Sequence, residues 1–412
     1  MSNEQQLLIL GRKHAAEFEQ IVEQRGFKAT CIPREAGMQA LQSVLEQPIA
    51  GVIATNDGGS LMAAYVAEQA EVLYPSVRSV VLCQHKLKSR DAQMQWIPNA
   101  VPRYTGITLS AFAEGKRPNL SEVTFPVIVK PFRSSFSRAT AICTTEEEVE
   151  SWIEQNAEQL RRTNDTYRGL WSDITGGQMP LDGFIIEERA EGEQVTLDGY
   201  VHNGEVRFIG VTDSVLLYES LSFARFEYPS AIDEHIQEEM RQITRDVLRG
   251  IGFDNGFFNI EFVAHHQYGV KLVEINSRPS MQFQRLFEWV DGVKLLDMMV
   301  EEAVGGDPEK RLGERHARED GVAFCYVFRR ERDGLIASMP TAEDIRRAKA
   351  PLKNGHVSLF APPGTKLSSL SQDAMTYRYA YAYGHVPERI QVGAAIAHME
   401  DVLPFTFTDQ EE

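Results

Sequence analysis

The chain has 412 residues, of which 43% are hydrophobic and 25% are charged, and its formal net charge at pH 7 is −17. Such a length predicts about two to four globular domains. The acidic balance argues against a nucleic-acid partner and against docking on anionic membranes, because both require a basic surface.

The four cysteines are scattered and show no C-x-x-C spacing. This pattern disfavours a zinc or disulfide framework and fits a reducing cytoplasm. The polar N-terminus lacks the pattern of a signal peptide, and no uncharged apolar run has the length of a membrane span. We therefore expect a cytoplasmic protein with no membrane partner.

The first hundred residues alternate between strand-like and helix-like segments. Short apolar runs at 7–11, 50–54 and 79–83 are typical of buried strands, and helices are expected at 14–24 and from Gly58 onwards. Strands that alternate with helices predict a parallel α/β sheet. The glycine fingerprint of a dinucleotide site is missing after the first strand, which argues against NAD binding.

The middle of the chain predicts a mixed α and β region. The run 144–148, with a capping threonine and an acidic first turn, begins a helix that is expected to reach about Arg162. The polar, glycine-rich stretch 164–181 predicts a loop, and the apolar run 183–188 predicts a strand.

Further along, Asn203-Gly204 lies between two apolar runs and predicts a β-hairpin. An apolar stripe over 231–252 predicts an amphipathic helix. The C-terminal part is expected to contain strands and one final helix, at 322–328, 356–360, 378–384 and 389–403.

A second hairpin carries the argument for a metal ion. A two-residue turn at 267–268 places Glu261 directly opposite Glu274, with Leu272 and Asn276 on the same face as Glu274. Two opposed carboxylates in an apolar setting require a cation, and oxygen ligands of this kind suit Mg²⁺. The alternative is an exposed sheet face with solvated glutamates.

A lysine in the apolar run V-I-V-K-P is the second candidate for a functional role. Lys130 must either reach solvent or pair with an anion such as a nucleotide phosphate. The following turn carries the hydroxyls of Ser134, Ser135 and Ser137, together with two arginines that suit phosphate oxygens. The alternative is an ordinary polar surface turn.

The segment 183–198 combines an apolar strand, two acids, a glycine turn and a third acid. The strand end at Glu187 and Glu188 offers backbone groups to an adenine edge, and Glu193 offers a carboxylate to ribose hydroxyls. Taken alone, surface acids on a turn explain the same pattern.

Together, these segments resemble the ATP-grasp superfamily over roughly residues 80–300. The motifs follow in the order of that family: a lysine at His85-Lys86, the lysine in V-I-V-K-P, an E-E-x-x-x-G-E hinge, N-I-E-F and V-E-I-N-S-R-P-S. The segment 356–403 is similar to the C-terminal lid of biotin-carboxylase-like and L-amino acid ligase members.

The resemblance implies an α/β and α+β architecture with an ATP-grasp fold. An N-terminal parallel α/β (pre-ATP-grasp) domain is expected at 1–104 and the ATP-grasp domain at 105–305, with its mobile lid subdomain at 105–187. A C-terminal α+β, mainly-β lid domain is expected at 306–412.

The resemblance also implies roles for individual residues around ATP and Mg²⁺, with Mn²⁺ as a possible substitute. Lys86, with Lys88 as the alternative, and Lys130 are expected on the phosphates, the segment 187–188 at the adenine and Glu193 at the ribose. The expected metal ligands are Glu261, Glu274 and Asn276. The expected catalytic residue, over an acyl phosphate, is Arg278. The expected substrate contacts are Arg278, Ser280, Arg225 and Glu227.

Two departures from the family pattern concern the phosphate loop and the substrate pocket. Serines stand where the family's phosphate loop has glycines, and Met281 follows R-P-S where glycine is common. Tyr218 and Arg285 are further candidate substrate contacts.

The activity expected from this resemblance is carboxylate–amine ligation. ATP is expected to activate a carboxylate as an acyl phosphate, and an amine, expected to come from an amino acid, then forms an amide. A biotin-carboxylase-like reaction with bicarbonate and a non-catalytic ATP-binding scaffold are the alternatives. Expected partners are small molecules and a second copy of the chain.

Overall fold

The computed structural model describes residues 5–11, 16–33, 35–134, 138–217, 220–312, 320–370, 372 and 376–408, without the side chains of 163–166 and 312. Ser135, Ser137 and Tyr218, which the sequence singles out, lie outside the described residues. No described helix is both long enough and apolar enough to cross a membrane.

The N-terminal region contains a parallel sheet, as predicted, and its strand order is β2-β1-β3. Its first strand is buried along its whole length. Its elements are β1 (Gln6–Leu10), α1 (Ala16–Gln24), β2 (Lys28–Ile32), α2 (Met38–Val44), β3 (Ile49–Ala54) and α3 (Asp57–Ala70).

The strand predicted at 79–83 is wrong, because this run lies in the helix α4 (Val77–Gln84), which is followed by α5 (Lys86–Trp96). Ser76 caps α4 by accepting a hydrogen bond from the backbone N–H of Ser79. A short apolar run does not distinguish a buried strand from a buried helix, and here the cap decides in favour of the helix. The third strand of the sheet is β2, which is half-buried.

The next region is an antiparallel sheet with the order β4-β7-β5-β6, covered by a long helix. Its elements are β4 (Tyr104–Thr108), α6 (Leu109–Ala113), β5 (Val127–Pro131), β6 (Ala141–Cys143), α7 (Glu146–Thr175) and β7 (Gly183–Glu188).

The loop predicted at 164–181 is wrong over 164–175, because α7 continues to Thr175. Only 176–181 forms a loop, which starts at the helix cap Gly176 with a φ of +63°. The second half of α7 leaves its own sheet and packs on the N-terminal region. Leu170 lies against the core that contains Leu8, and Trp171 packs with Leu61. This packing stabilises a polar helical segment that local propensity alone does not predict.

The largest sheet has eight strands in the order β12-β11-β8-β9-β10-β13-β16-β15. Its elements and those around it are β8 (Glu193–His202), β9 (Glu205–Leu216), β10 (Phe223–Tyr228), α8 (Glu234–Ile251), β11 (Gly256–His265), β12 (Gly269–Asn276), α9 (Gln284–Asp291), α10 (Leu295–Ala303), α11 (Glu309–Leu312), β13 (Val322–Arg330), β14 (Leu335–Ser338), α12 (Ala342–Lys349), β15 (Asn354–Leu359), β16 (Tyr377–Val386), α13 (Val392–Val402) and β17 (Thr406–Thr408).

Both hairpins of this sheet were expected, and the predicted turn at Asn203-Gly204 is confirmed: His202 pairs with Glu205, and both turn residues have positive φ. The C-terminal strands β13, β16 and β15 extend the same sheet as β8–β12. The boundaries at 104/105 and 305/306 therefore stay predictions.

The two faces of the large sheet carry different residues. One face packs a core with α8 that includes Leu197, Ile260 and Ile275. Strand alternation and register place Asn259 and Glu261 on the other face. We call this second face the carboxylate face.

Candidate active site

Glu261 and Glu274 stand directly opposite each other on β11 and β12, as predicted. The route to this pairing differs from the predicted one. The turn has three residues, because His265 pairs with Gly269, and Val273 is an extra residue that forms a β-bulge. The two offsets cancel, so the carboxylates still share a pair. Leu272, expected beside Glu274, lies in the opposite core because of this bulge.

The next cross-strand row on the carboxylate face holds Asp198, Asn259 and Asn276. These side chains are only 1%, 4% and 7% exposed. Asn276 Nδ2 donates to Asn259 Oδ1 at 3.2 Å, and Asn259 Nδ2 donates to Asp198 Oδ2 at 2.8 Å. Three polar groups are therefore buried in a single hydrogen-bonded row beside the carboxylate pair.

Lys86 begins α5, and its ammonium group points at the carboxylate pair. Its Nζ donates to Glu274 Oε1 at 3.0 Å and to the backbone carbonyl of Ser134 at 3.1 Å. Lys88 lies at the surface instead and pairs with Asp91 at 3.0 Å. Of the two lysines considered, only Lys86 is therefore brought to the site.

Arg278 follows β12 and is held by the N-terminal region. Its Nε donates to Asp57 Oδ1 at 3.0 Å, and its Nη2 donates to Asn276 Oδ1 at 3.2 Å. Asp57 belongs to the first turn of α3, and Ser60 of the same helix donates to the backbone carbonyl of Ser277 at 2.8 Å. The first turn of α3 thus anchors the segment that carries Arg278.

Lys130 on β5 forms part of a buried charge cluster. Its Nζ lies 2.7 Å from Glu187 Oε2, and Arg90 Nε lies 2.5 Å from Glu187 Oε1. Arg90 also donates to the backbone carbonyl of Val273 at 2.8 Å. Arg90 therefore connects the four-stranded sheet, through Glu187, to the β-bulge at Val273, next to the carboxylate pair.

The electrostatics of these acids follow from their surroundings. Burial, and then repulsion from Glu274, raise the pKa of Glu261 to about 7. Burial raises the pKa of Asp198 to about 7 as well. Burial also acts to raise the pKa of Glu187, but Arg90 and Lys130 outweigh it and lower that pKa to about 2.

A recess opens between the three sheets at this point. Its lining comes from α3, α4, the end of β5 and β12: Asp57, Gln84, Arg133, Ser134, Glu274, Ile275 and Asn276. The guanidinium of Arg133 stacks on the ring of Tyr167 at 3.5 Å, and its Nε has no hydrogen-bond partner among the described residues. The recess therefore combines carboxylates with cationic groups.

Two predicted substrate contacts are not brought to the recess. The strand register places Arg225 and Glu227 on the face opposite the carboxylate face. Glu227 accepts from Arg225 at 2.6 Å and from Arg389 at 2.5 Å, so it ties β10 to the C-terminal region. Ser280 does lie near the recess, and its backbone N–H donates to Asp198 Oδ1 at 3.3 Å.

The acids expected at the adenine and the ribose differ in their burial and in their contacts. The side chain of Glu187 is fully occupied by ion pairs, and the backbone N–H of Glu188 donates to the carbonyl of Arg103. An adenine edge would therefore meet backbone beyond Glu188. Glu193 is exposed at the start of β8, and by its pairing with Ala264 it alternates away from the carboxylate face.

Sequence reasoning did not select three residues of the site: Asp57, Arg90 and Asp198. Asp57 carried a usable signal, since it follows the carboxyl end of a parallel strand. Asp198 is an acid within a buried strand, which is a second usable signal. Arg90 carried no local signal, because Glu187 and Val273, which it contacts at the site, are distant in sequence.

The residues present fit a hard divalent cation. No group of three His, Cys, Asp or Glu side chains that could hold a metal occurs in the described part of the chain. Glu261 and Glu274 with the amide oxygen of Asn276 make a smaller oxygen set, which suits Mg²⁺ because this ion keeps waters and substrate phosphates as ligands. The ammonium of Lys86 beside Glu274 also shows that the pair attracts a cation.

Comparison with known proteins gives the same architecture. Residues 123–284 match the model of the ATP-grasp domain family. An L-amino acid ligase from Bacillus licheniformis has a similar fold, with a TM-score of 0.76 at 15% identity over 99% of both chains.

Two further solved structures are similar along the whole chain. Phosphoribosylglycinamide synthetase from Anaerococcus prevotii has a TM-score of 0.68 at 13% identity, covering 98% of this chain and 100% of that one. The biotin carboxylase domain of 2-oxoglutarate carboxylase from Hydrogenobacter thermophilus, solved with MgADP and bicarbonate, has a TM-score of 0.67 at 14% identity, covering 98% and 91%.

The fold and the matched domain together define the class of protein. The chain contains an ATP-grasp domain at residues 123–284, and the whole chain has the ATP-grasp fold. Its mixed α/β architecture, with a parallel N-terminal sheet and a large antiparallel sheet, is the one expected from the sequence motifs.

Proposed function

We propose that the protein is an ADP-forming ligase that activates a carboxylate with ATP and joins it to an amine. The observation that carries the proposal is the opposed pair Glu261 and Glu274 beside the recess. Lys86 and Arg278 contact residues that line this recess, Glu274 and Asn276 respectively. The recess offers anionic ligands for a metal and cationic ligands for phosphates, which ATP complexed with Mg²⁺ requires together.

The proposed reaction has two steps. An oxygen of the substrate carboxylate attacks the γ-phosphorus, the bond from that phosphorus to the β,γ-bridging oxygen breaks, and ADP leaves. The amine nitrogen then attacks the acyl carbon, the bond from carbon to the phosphate oxygen breaks, and phosphate leaves while the nitrogen loses a proton. Such chemistry depends on positioning and charge neutralisation.

The residues at the recess divide this work. Glu261, Glu274 and Asn276 would hold the divalent ion, Mg²⁺ or Mn²⁺, which when bound would neutralise phosphate charge. Lys86, Lys130 and the turn at Ser134 take the phosphates. Arg133, stacked on Tyr167, supplies a guanidinium at the start of the turn in which serines replace the family's glycines. Arg278 stabilises the oxyanion of the second step.

Part of the chain must close over ATP so that water does not hydrolyse the acyl phosphate. We assign this lid to 105–187 within an ATP-grasp domain at 105–305. Because the second half of α7 packs on the N-terminal region, closure requires either a bend in α7 or a joint movement with that region.

The substrates are proposed to be amino acids, with Ser280 near the acyl group. The fold shared with an L-amino acid ligase supports this choice. We also propose that the protein is a homodimer and that it acts in the cytoplasm.

Bicarbonate as the activated carboxylate is the second candidate, and it is favoured by the shared fold of a biotin carboxylase domain. A screen of ADP and phosphate release separates the candidates, with pairs of amino acids in one arm and bicarbonate with amines or biotin in the other. Release that requires two amino acids supports the ligase. Release that requires bicarbonate supports the carboxylase, and ATP binding without release in either arm supports a non-catalytic scaffold.

A further inference from the structure

The buried row beside the carboxylate pair ends in two groups of opposite hydrogen-bonding character. At one end, both oxygens of Asp198 accept: Oδ2 from Asn259 Nδ2 at 2.8 Å and Oδ1 from the Ser280 N–H at 3.3 Å. At the other end, Arg278 Nη2 donates to Asn276 Oδ1 at 3.2 Å. Above its pKa of about 7, Asp198 is an ionised carboxylate, which only accepts, and a guanidinium only donates.

The two amides between these ends can satisfy both of them in only one orientation. Asn259 must turn its NH₂ toward Asp198, so its oxygen faces Asn276 and accepts at 3.2 Å. Asn276 must then turn its NH₂ toward Asn259, which leaves its oxygen for Arg278 and the recess. If either amide were reversed, two donors or two acceptors would face each other in a buried site.

We propose that Asp198 is a positioning residue that sets the amide orientation of Asn276. It acts through Asn259 and keeps the Asn276 oxygen, instead of the NH₂ group, turned to the recess. A metal accepts an oxygen ligand and not an amide NH₂, so the orientation decides whether Asn276 can serve as a ligand. This inference rests on the metal site of the proposed function.

One substitution reverses the polarity of the row. In Asp198→Asn the new amide must keep its oxygen for the Ser280 N–H, so its NH₂ faces Asn259. Asn259 then turns over, Asn276 follows, and the NH₂ of Asn276 meets Arg278. Asn259→Asp alone is also unfavourable, because it sets two carboxylates side by side.

The double variant Asp198→Asn/Asn259→Asp restores the polarity without changing the net charge. The amide at 198 accepts from Ser280 and donates to the carboxylate at 259, and that carboxylate accepts from Asn276. The Asn276 oxygen faces the recess again. A purely structural role of Asp198 predicts no such rescue, because both positions then differ from the wild type.

The test is a titration of each protein with Mn²⁺ in the presence of ADP, at a pH above the pKa of Asp198 of about 7, read by the electron paramagnetic resonance signal of free Mn²⁺. We expect Asp198→Asn to weaken Mn²⁺ binding by about 10- to 100-fold, the range seen when partners of metal ligands are lost. Asn259→Asp should also weaken it, and the double variant should return to within a few-fold of the wild type. ADP binding without metal serves as the control and should stay unchanged.

Two outcomes would overturn the inference: wild-type Mn²⁺ affinity in Asp198→Asn, or a double variant as weak as the worse single variant. If the wild type itself binds no Mn²⁺ with ADP, the proposed metal site fails. Urea unfolding then tests the amide orientation without a metal. If Asp198 sets this orientation, the free energy of unfolding falls in each single variant and returns in the double variant. Additive losses would overturn it.

Discussion

Lys86 and Glu274 form an ion pair across 188 positions of sequence, with Nζ 3.0 Å from Oε1. The pair joins the start of α5 to β12 and places a cation beside two opposed carboxylates. Lys86 also donates to the backbone of Ser134 in the turn that follows β5. Lys86 thus contacts one proposed metal ligand, Glu274, and also the proposed phosphate loop at Ser134.

Replacing Lys86 by Met should reduce turnover by about 10²- to 10³-fold, because a preorganised charge that faces the phosphates is lost. Lys88→Met is the matched control, since Lys88 is exposed, lies two positions away and pairs only with a surface acid among the described residues. ADP release under saturating ATP measures both variants. Equal activity of the two variants would contradict the role given to Lys86.

Arg278→Ala should reduce kcat by about 10²- to 10³-fold, because the developing oxyanion loses its donor. The fold should survive, since the segment stays anchored by Ser60 and Ser277. Circular dichroism and thermal unfolding check the fold, and the rate of amide formation checks catalysis. A folded variant with wild-type kcat would remove Arg278 from the mechanism.

Glu187→Gln should destabilise the protein at neutral pH by about 3–5 kcal/mol, because Arg90 and Lys130 lose a buried counter-charge. The pKa of Glu187 is lowered to about 2 in the folded state, so its contribution is present above pH 4.5 and is lost as pH falls toward 2. Urea unfolding of both proteins from pH 7 to pH 3 should show the difference shrinking. A difference that is constant over this range would show that Glu187 does not titrate as described.

Glu227→Gln should lower stability by about 1.5–3 kcal/mol, since the bonds to Arg225 and Arg389 weaken. The Michaelis constants should stay at wild-type values, because Glu227 faces away from the recess. Unfolding and steady-state kinetics on the same preparations make the comparison. A raised Michaelis constant with unchanged stability would restore Glu227 as a substrate contact.

The hairpin shows how far local reasoning reaches. Alternation and turn position predicted that Glu261 and Glu274 meet, and they do. The same reasoning misplaced Leu272, because a bulge depends on contacts from elsewhere, here the hydrogen bond from Arg90 to the carbonyl of Val273. The correct pair was obtained because a longer turn and a bulge compensate each other.

Other parts of the site arise only in three dimensions. Asp57 and Arg90 come from segments far from the hairpin, so no spacing in the sequence connects them to it. The face of Arg225 and Glu227 depends on register across several strands, which the sequence of β10 alone does not determine. The length of α7 depends on packing against the N-terminal region, where Trp171 is buried.

The central claim is that ATP activates a carboxylate as an acyl phosphate at this recess. The most direct measurement uses a carboxylate substrate from the release screen, labelled with ¹⁸O in both oxygens, and mass spectrometry of the released phosphate. The account predicts one ¹⁸O atom in each phosphate formed by the wild type, and no product from Glu274→Ala. Phosphate that carries no ¹⁸O, released at the same rate as ADP, would contradict it.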